Sequence, residues 1–206
     1  MYWSNLDTYE KWYYLGFIIG DGNIASSYNR FTIKLSKVDT DWINTAYDNF
    51  NMDTSLYKTS DSVVMYKNSQ QWKSDLSKYG IYPRKSTNAT LPMDLITSPE
   101  IASAIILGLF DADGCIYVGT DKKGYQTLEF NIVGTKNVCE CVQYLLSKYL
   151  NITNKSVYLK PGSNVYVVRW GKRSDIELIS KFLYQHATLN NICLKRKQNK
   201  FKLISR

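Results

Sequence analysis

The feature that most constrains this chain is a nonapeptide pattern that occurs twice. Tyr14-Leu-Gly-Phe-Ile-Ile-Gly-Asp-Gly22 matches Ile106-Leu-Gly-Leu-Phe-Asp-Ala-Asp-Gly114: two large apolar residues, Gly, two large apolar residues, a variable position, a small residue, Asp and Gly. The segments C-terminal to the two copies also correspond. An alternating run (Arg30 to Ser36, Leu128 to Val133) leads to a lysine (Lys37, Lys136) and an amphipathic segment of helical period. A second apolar run (62–67, 165–170) then precedes another helix-like segment, and Gly80-Ile-Tyr-Pro-Arg-Lys-Ser86 ends the first half as Asn191-Ile-Cys-Leu-Lys-Arg-Lys-Gln198 ends the second. A duplication of this kind predicts an α+β fold of two pseudo-twofold related αββαββα halves. Residues 1–85 form the first half, 86–98 a linker and 99–206 the second.

Read as helices, the two motifs predict their own packing. Gly16 and Gly20 stand at i and i+4, on one face, and so do Gly108 and Ala112. Small residues stacked in this way let two backbones approach closely, and the simplest partner for one such face is the other. Each interior Gly costs about 1 kcal/mol relative to Ala, a cost that recurs here in register. The first helix is expected to begin near Asp7, with Glu10 three residues on, and the second at Ser98 with Pro99 in the first turn. Ser174 and Glu177 read as a capping box for a later helix.

Asp21 and Asp113 fall in the last turn of the two motif helices, each before a Gly suited to a left-handed cap. A helix C-terminus carries partial negative charge, and helices packed side by side would also bring the two carboxylates together. Something cationic should offset that cost. Hard divalent metal is the natural candidate, since Mg2+ prefers carboxylate and phosphate oxygens. The plainer alternative is a lysine partner for each acid.

Charge points to the kind of partner. The chain carries a formal +8, yet residues 1–97 hold 10 basic and 10 acidic side chains against 16 and 8 in residues 98–206, so the excess lies in the second half. A polyanion is therefore expected as ligand, with the second half supplying most of the salt-dependent affinity. One histidine, His186, and four cysteines without a CxxC pair argue against a structural zinc or histidine-based catalysis. With no bilayer-length apolar stretch, an intracellular, soluble protein is expected, in the cytoplasm of a microbial or phage-infected host or in an organelle.

These residues resemble the LAGLIDADG motif of homing endonucleases, and the chain is similar to the monomeric, two-motif members from about Asp7 to Phe201. The second copy is the closer match; the first has Ile19 and Gly20 where the motif has its first acid and alanine. The resemblance implies a saddle of two antiparallel sheets over double-stranded DNA, with the motif helices at the interface. It implies a metal site formed by Asp21, Asp113, Gly20 and Ala112, and Mg2+ as cofactor, with Mn2+ substituting and Ca2+ binding without cleavage. Lys85 and Lys197 match the lysines near the metals. Ser36 with Lys37, and Thr135 with Lys136, match the positions that order attacking water. One cut per strand with cohesive 3′ ends is implied, on a long, non-palindromic target of about two helical turns and without an obligate protein partner.

Strand alternation assigns the reading face. Phe31, Ile33 and Leu35 point to the core, which turns Arg30, Thr32, Lys34 and Ser36 outward. Glu129, Asn131, Tyr158 and Lys160 are the corresponding candidates in the second half; in 62–67 and 165–170 both faces are mixed and no face is chosen, with Arg169 alone of these residues taken as a DNA contact. The rival readings are a non-cutting binder of the same fold, either an RNA maturase that assists intron splicing or a transcription regulator, and a structural protein with an incidental basic face.

Overall fold

The computed structural model describes residues 3–50, 55–190 and 192–204. The first half runs α1 (Tyr9–Asp21), β1 (Gly22–Ile24), β2 (Arg30–Ser36), α2 (Thr40–Phe50), β3 (Ser55–Lys58), β4 (Ser62–Asn68) and α3 (Gln70–Ser77). The second runs α4 (Pro99–Asp113), β5 (Gly114–Thr120), β6 (Gln126–Gly134), α5 (Lys136–Leu150), β7 (Tyr158–Leu159), β8 (Tyr166–Trp170) and α6 (Arg173–Asn190), followed by a short basic helix α7 (Lys195–Phe201). Each half holds one antiparallel sheet, ordered β1-β2-β4-β3 and β5-β6-β8-β7. The α+β architecture of two like halves is the one the duplication implies.

The motif helices α1 and α4 pack against each other at the centre. A Cβ on Gly16 would overlap the Ile105 carbonyl oxygen, and one on Gly108 would overlap that of Tyr13 and lie 2.6 Å from the Phe17 amide nitrogen. The two faces therefore meet backbone to backbone, which only glycine permits. Around this contact both helices are buried almost completely, from Trp12 to Ile19 and from Ala102 to Asp111.

Three local expectations are corrected. The cap of α1 is Thr8, whose hydroxyl accepts the Lys11 N–H, whereas Asp7 pairs with the Lys11 ammonium at 2.7 Å. Both residues are good caps, and the ion pair leaves the backbone position to Thr8. Helix α6 begins at Arg173, so Ser174 is already inside it and caps nothing; Glu177 lies 3.9 Å from Arg173 instead. Gly22 and Gly114 are extended (φ −69° and −85°), not left-handed. They are needed for space: the chain turns from helix into strand so tightly that a Cβ would stand 2.7 Å from the Ile18 or Phe110 carbonyl oxygen.

Strand register places the outer face of each sheet. Gly22 pairs with Ile33 and Gly114 with Ile132, so Thr32 corresponds to Asn131, Arg30 to Glu129 and Ser36 to Thr135. Thr32 faces Tyr66 and Asn131 faces Arg169, which sets the outward side of β4 and β8, the strands whose pattern alone left it open. Phe31, Ile33 and Leu35 are buried on the other side, under α2 and α3.

Candidate active site

The crossing of α1 and α4 brings their C-terminal ends together. Gly20 lies against Ala112, and a Cβ on Gly20 would stand 2.9 Å from Asp113 Oδ2. The carboxylate of one motif thus leans over the backbone of the other, which gives a steric reason for Gly at position 20. Among the described residues neither Asp21 nor Asp113 is hydrogen-bonded or ion-paired, and both are partly buried. Burial first, and the Asp113 charge second, push the Asp21 carboxyl up to about 6, with Lys197, Lys85 and Arg196 opposing. Burial also raises Asp113, against the pull of Lys85 and then Lys197. Such a pair is poised to take up a cation.

Lys85 and Lys197 arrive at this place by matching routes. Lys85 Nζ donates to the carbonyls of Ile19, at 2.7 Å, and Gly20. Lys197, buried in α7, donates to those of Phe110 (2.7 Å), Asp111 (2.7 Å), Ala112 (3.4 Å) and Gly114 (2.8 Å). Each lysine therefore caps the negative end of the motif helix in its own half and satisfies carbonyls that have no partner within the helix. Burial lowers both ammonium groups below their usual range while the aspartates pull them back up. The lysines serve the helix ends rather than forming direct pairs with Asp21 and Asp113.

A cavity beside Asp113 is lined by Gly20, Lys85, Ala89, Gly134 and Thr135, so it draws on both halves. Thr135 sits there as the N-cap of α5: its hydroxyl accepts from Val138 N at 3.2 Å and donates to Ala89 O at 2.7 Å. Ser36, its counterpart, is exposed at the end of β2, where it makes no side-chain cap bond. Lys37 is exposed beside it, and Lys136 lies 3.7 Å from Glu140 on the surface of α5. Arg30, Thr32 and Lys34 occupy the outer face of the first sheet, as Glu129, Asn131 and Arg169 do in the second. Tyr158 joins them from β7, while Lys160 lies past its end, in the turn closed by its own amide on Val165 O at 2.9 Å.

Two parts of the site escaped sequence reasoning. Asp111, the motif's first acid, is wholly buried; its Oδ2 accepts from Tyr13 OH at 2.8 Å and Leu194 N at 2.7 Å, and Trp42 Nε1 in turn donates to Tyr13 OH at 2.6 Å. Burial pushes its carboxyl up to about 6, against the Leu194 and Tyr13 hydrogen bonds. In the first half Ile19 holds this position, so the broken symmetry at 19 and 111 was the available signal. Asp39 forms a two-pronged pair with Arg196 (2.7 and 2.9 Å), joining the first half to α7. Residues 194, 196 and 197 thus fasten one short segment to α4, to the first half and to the α4 terminus in turn. Asn191, the first residue of the matched segment, lies outside the described residues.

No family model matches the chain, and no curated protein matches it in sequence. Solved structures do match its fold. The LAGLIDADG meganuclease I-AabMI bound to uncleaved DNA superposes with a TM-score of 0.64, at 16% identity over 94% of this chain and 88% of that one. The meganuclease I-SmaMI bound to an uncleavable DNA gives 0.65, at 14% identity over 94% and 87%. Full-length DUF199/WhiA from Thermatoga maritima gives 0.57, at 13% identity over 98% of this chain and 61% of that one. The fold is that of the LAGLIDADG endonucleases.

Proposed function

We propose that this chain is a site-specific, divalent-metal-dependent endonuclease that cuts both strands of duplex DNA, one phosphodiester at each of two adjacent acids. The observation that carries the reading is the pair Asp21 and Asp113: two carboxylates without a partner among the described residues, raised by burial, at the touching ends of two helices that each carry a lysine cap. A structural protein would gain nothing from such a pair. The likeness in fold to meganucleases solved with DNA supports the same substrate.

The donor set fits a hard cation. Mg2+ is held by one or two carboxylates, with waters and substrate phosphates completing its shell, and it tolerates no soft ligands. Asp21 and Asp113 are the residues that would hold it, beside Gly20 and Ala112. When bound, the ion would lower the pKa of water and stabilise the charge of the departing oxygen. The protein's own part is positioning. The glycine-tight crossing fixes the separation of the acids, while Lys85 and Lys197 clamp the helix ends and add positive charge where phosphate enters. The outer faces of the two sheets, with Arg30, Lys34 and Arg169, meet the duplex on either side.

The chain in Mg2+ should cut a small set of sequences from a randomised duplex library, Mn2+ should substitute, and EDTA should abolish cutting. Ca2+ should support binding without cleavage. A chain that enriches and retains duplex but never cuts it under any of these ions would be a non-cutting binder of the same fold.

A further inference from the structure

The outer faces of the two sheets each hold one arginine in a way that goes beyond general attraction to phosphate. Arg30 lies with its guanidinium 4.7 Å from the ring centre of Tyr66, and its Nε donates to Asn68 Oδ1 at 3.1 Å. Arg169 lies 4.9 Å from the ring centre of Tyr158, and its Nη1 donates to Glu129 Oε2 at 3.2 Å. The other oxygen of Glu129 accepts from Asn131 at 2.7 Å, so that carboxylate is itself held. In both cases the guanidinium lies over an aromatic ring and a neighbour takes one donor position. What remains is a free two-donor fork: Nη1 with Nη2 on Arg30, and Nε with Nη2 on Arg169. Arg30 is exposed, and about half of the Arg169 side chain is, so both forks are open to a ligand.

Resting on the DNA-cutting reading above, the geometry points to Arg30 and Arg169 as base readers, each recognising one guanine in the major groove of the target. A planar fork of two parallel N–H donors matches the O6 and N7 acceptors of guanine, an arrangement no other base pair presents. Prior stacking and tethering mean little side-chain freedom remains to be lost on binding.

The two readers are not related by the pseudo-twofold. Register makes Arg30 the counterpart of Glu129, and Tyr66 the counterpart of Arg169. Arg169 is level with Asn131, two residues nearer the Thr135 end of β6 than Arg30's counterpart, and that end borders the Asp113 cavity. Two residues of strand span roughly 6.6 Å, about two base-pair steps. The guanine read by Arg169 should therefore lie closer to the cut than the one read by Arg30, and the two half-sites should differ.

Binding selection on a randomised duplex library with the full chain tests this, comparing wild type with Arg30→Lys and Arg169→Lys. Lysine keeps the charge and loses the fork. Each variant is expected to lose a guanine preference of at least about fivefold at a single position, in opposite half-sites, with the slope of log affinity against log salt unchanged. Tyr158→Phe should retain the Arg169 preference and Tyr158→Ala should relax it, with melting curves confirming that every variant is folded. An enriched site whose base preferences the lysine variants leave intact would make these arginines phosphate contacts and overturn the guanine assignment alone. A wild-type chain that enriches no duplex would overturn the DNA-cutting reading and this assignment with it.

Discussion

Gly108→Ala probes the contact on which the placement of the acids depends. The added Cβ would overlap the Tyr13 carbonyl oxygen and lie 2.6 Å from the Phe17 amide nitrogen, both backbone atoms that cannot rotate aside. Restoring ordinary contact near 3.5 Å with the Tyr13 oxygen requires the two helices to part by roughly 1.5 Å. Overpacking of that kind costs about 1–3 kcal/mol, and the rigid neighbours place this case near the upper figure. Alanine's better helix propensity offsets about 1 kcal/mol, leaving a net loss of about 2 kcal/mol. For a domain of this length that is a fall in Tm of roughly 4–8 °C. That displacement, carried to the helix ends, should reduce the single-turnover cleavage rate by at least about 10²-fold. Gly20→Ala acts closer to the acids: its methyl would overlap the Ala112 Cβ, which is fixed to the backbone, and crowd Asp113 Oδ2, so both the rate and Tm should fall. Thermal melting and single-turnover cleavage report the two effects separately. A Gly108→Ala protein that melts within about 1 °C of wild type and cuts at the wild-type rate would refute the close packing of the motif helices.

Three further outcomes are expected. In Lys197→Met the charge that draws down Asp113 and Asp21 is gone, so their carboxyls should rise further; the acidic limb of the pH–rate profile should move to higher pH and the maximal rate fall roughly 10²-fold. Asp111 binds its proton more tightly folded than unfolded, since its carboxyl is raised from 3.8 to about 6. Its contribution to stability is thus complete below about pH 3.8 and lost as pH rises through about 6, on the order of 3 kcal/mol in all. Wild-type Tm should therefore drop between pH 4 and 7 by several degrees more than that of Asp111→Asn, as measured by calorimetry. Asp39→Asn breaks the two-pronged pair with the half-exposed Arg196 and should lower stability by about 1–3 kcal/mol, read from urea unfolding.

The parts legible in sequence were those with a local or repeated signature. Gly16, Gly20, Gly108 and Ala112 announce a helix contact because their spacing is helical and occurs twice, and the alternation in β2 declares which side of Arg30 to Ser36 is buried. The features that escaped depend on pairing across long separations. The outward face of β4 and β8 comes from Thr32 meeting Tyr66 and Asn131 meeting Arg169, which no property of either strand alone reveals. Asp111 reads as one more acid of the motif until Tyr13 and the Leu194 amide, both far along the chain, are seen to converge on it. Caps went astray where two capable residues adjoin, as at Asp7 and Thr8, because an ion pair with Lys11 decided between them. The glycines after the acids were assigned the right residue for the wrong reason: a lack of space, rather than a left-handed turn, excludes a side chain there.

The central claim is that Asp21 and Asp113 together form the cutting site, one acid to each strand. The most direct measurement is Mg2+-dependent cleavage of a supercoiled plasmid carrying a library-selected site, by wild type, Asp21→Asn, Asp113→Asn and the double variant. Wild type should linearise the plasmid, neither single variant should produce linear product at a comparable rate, and the double variant should leave the DNA supercoiled while still binding it. Linear product from the double variant, at a rate near that of wild type, would contradict the account.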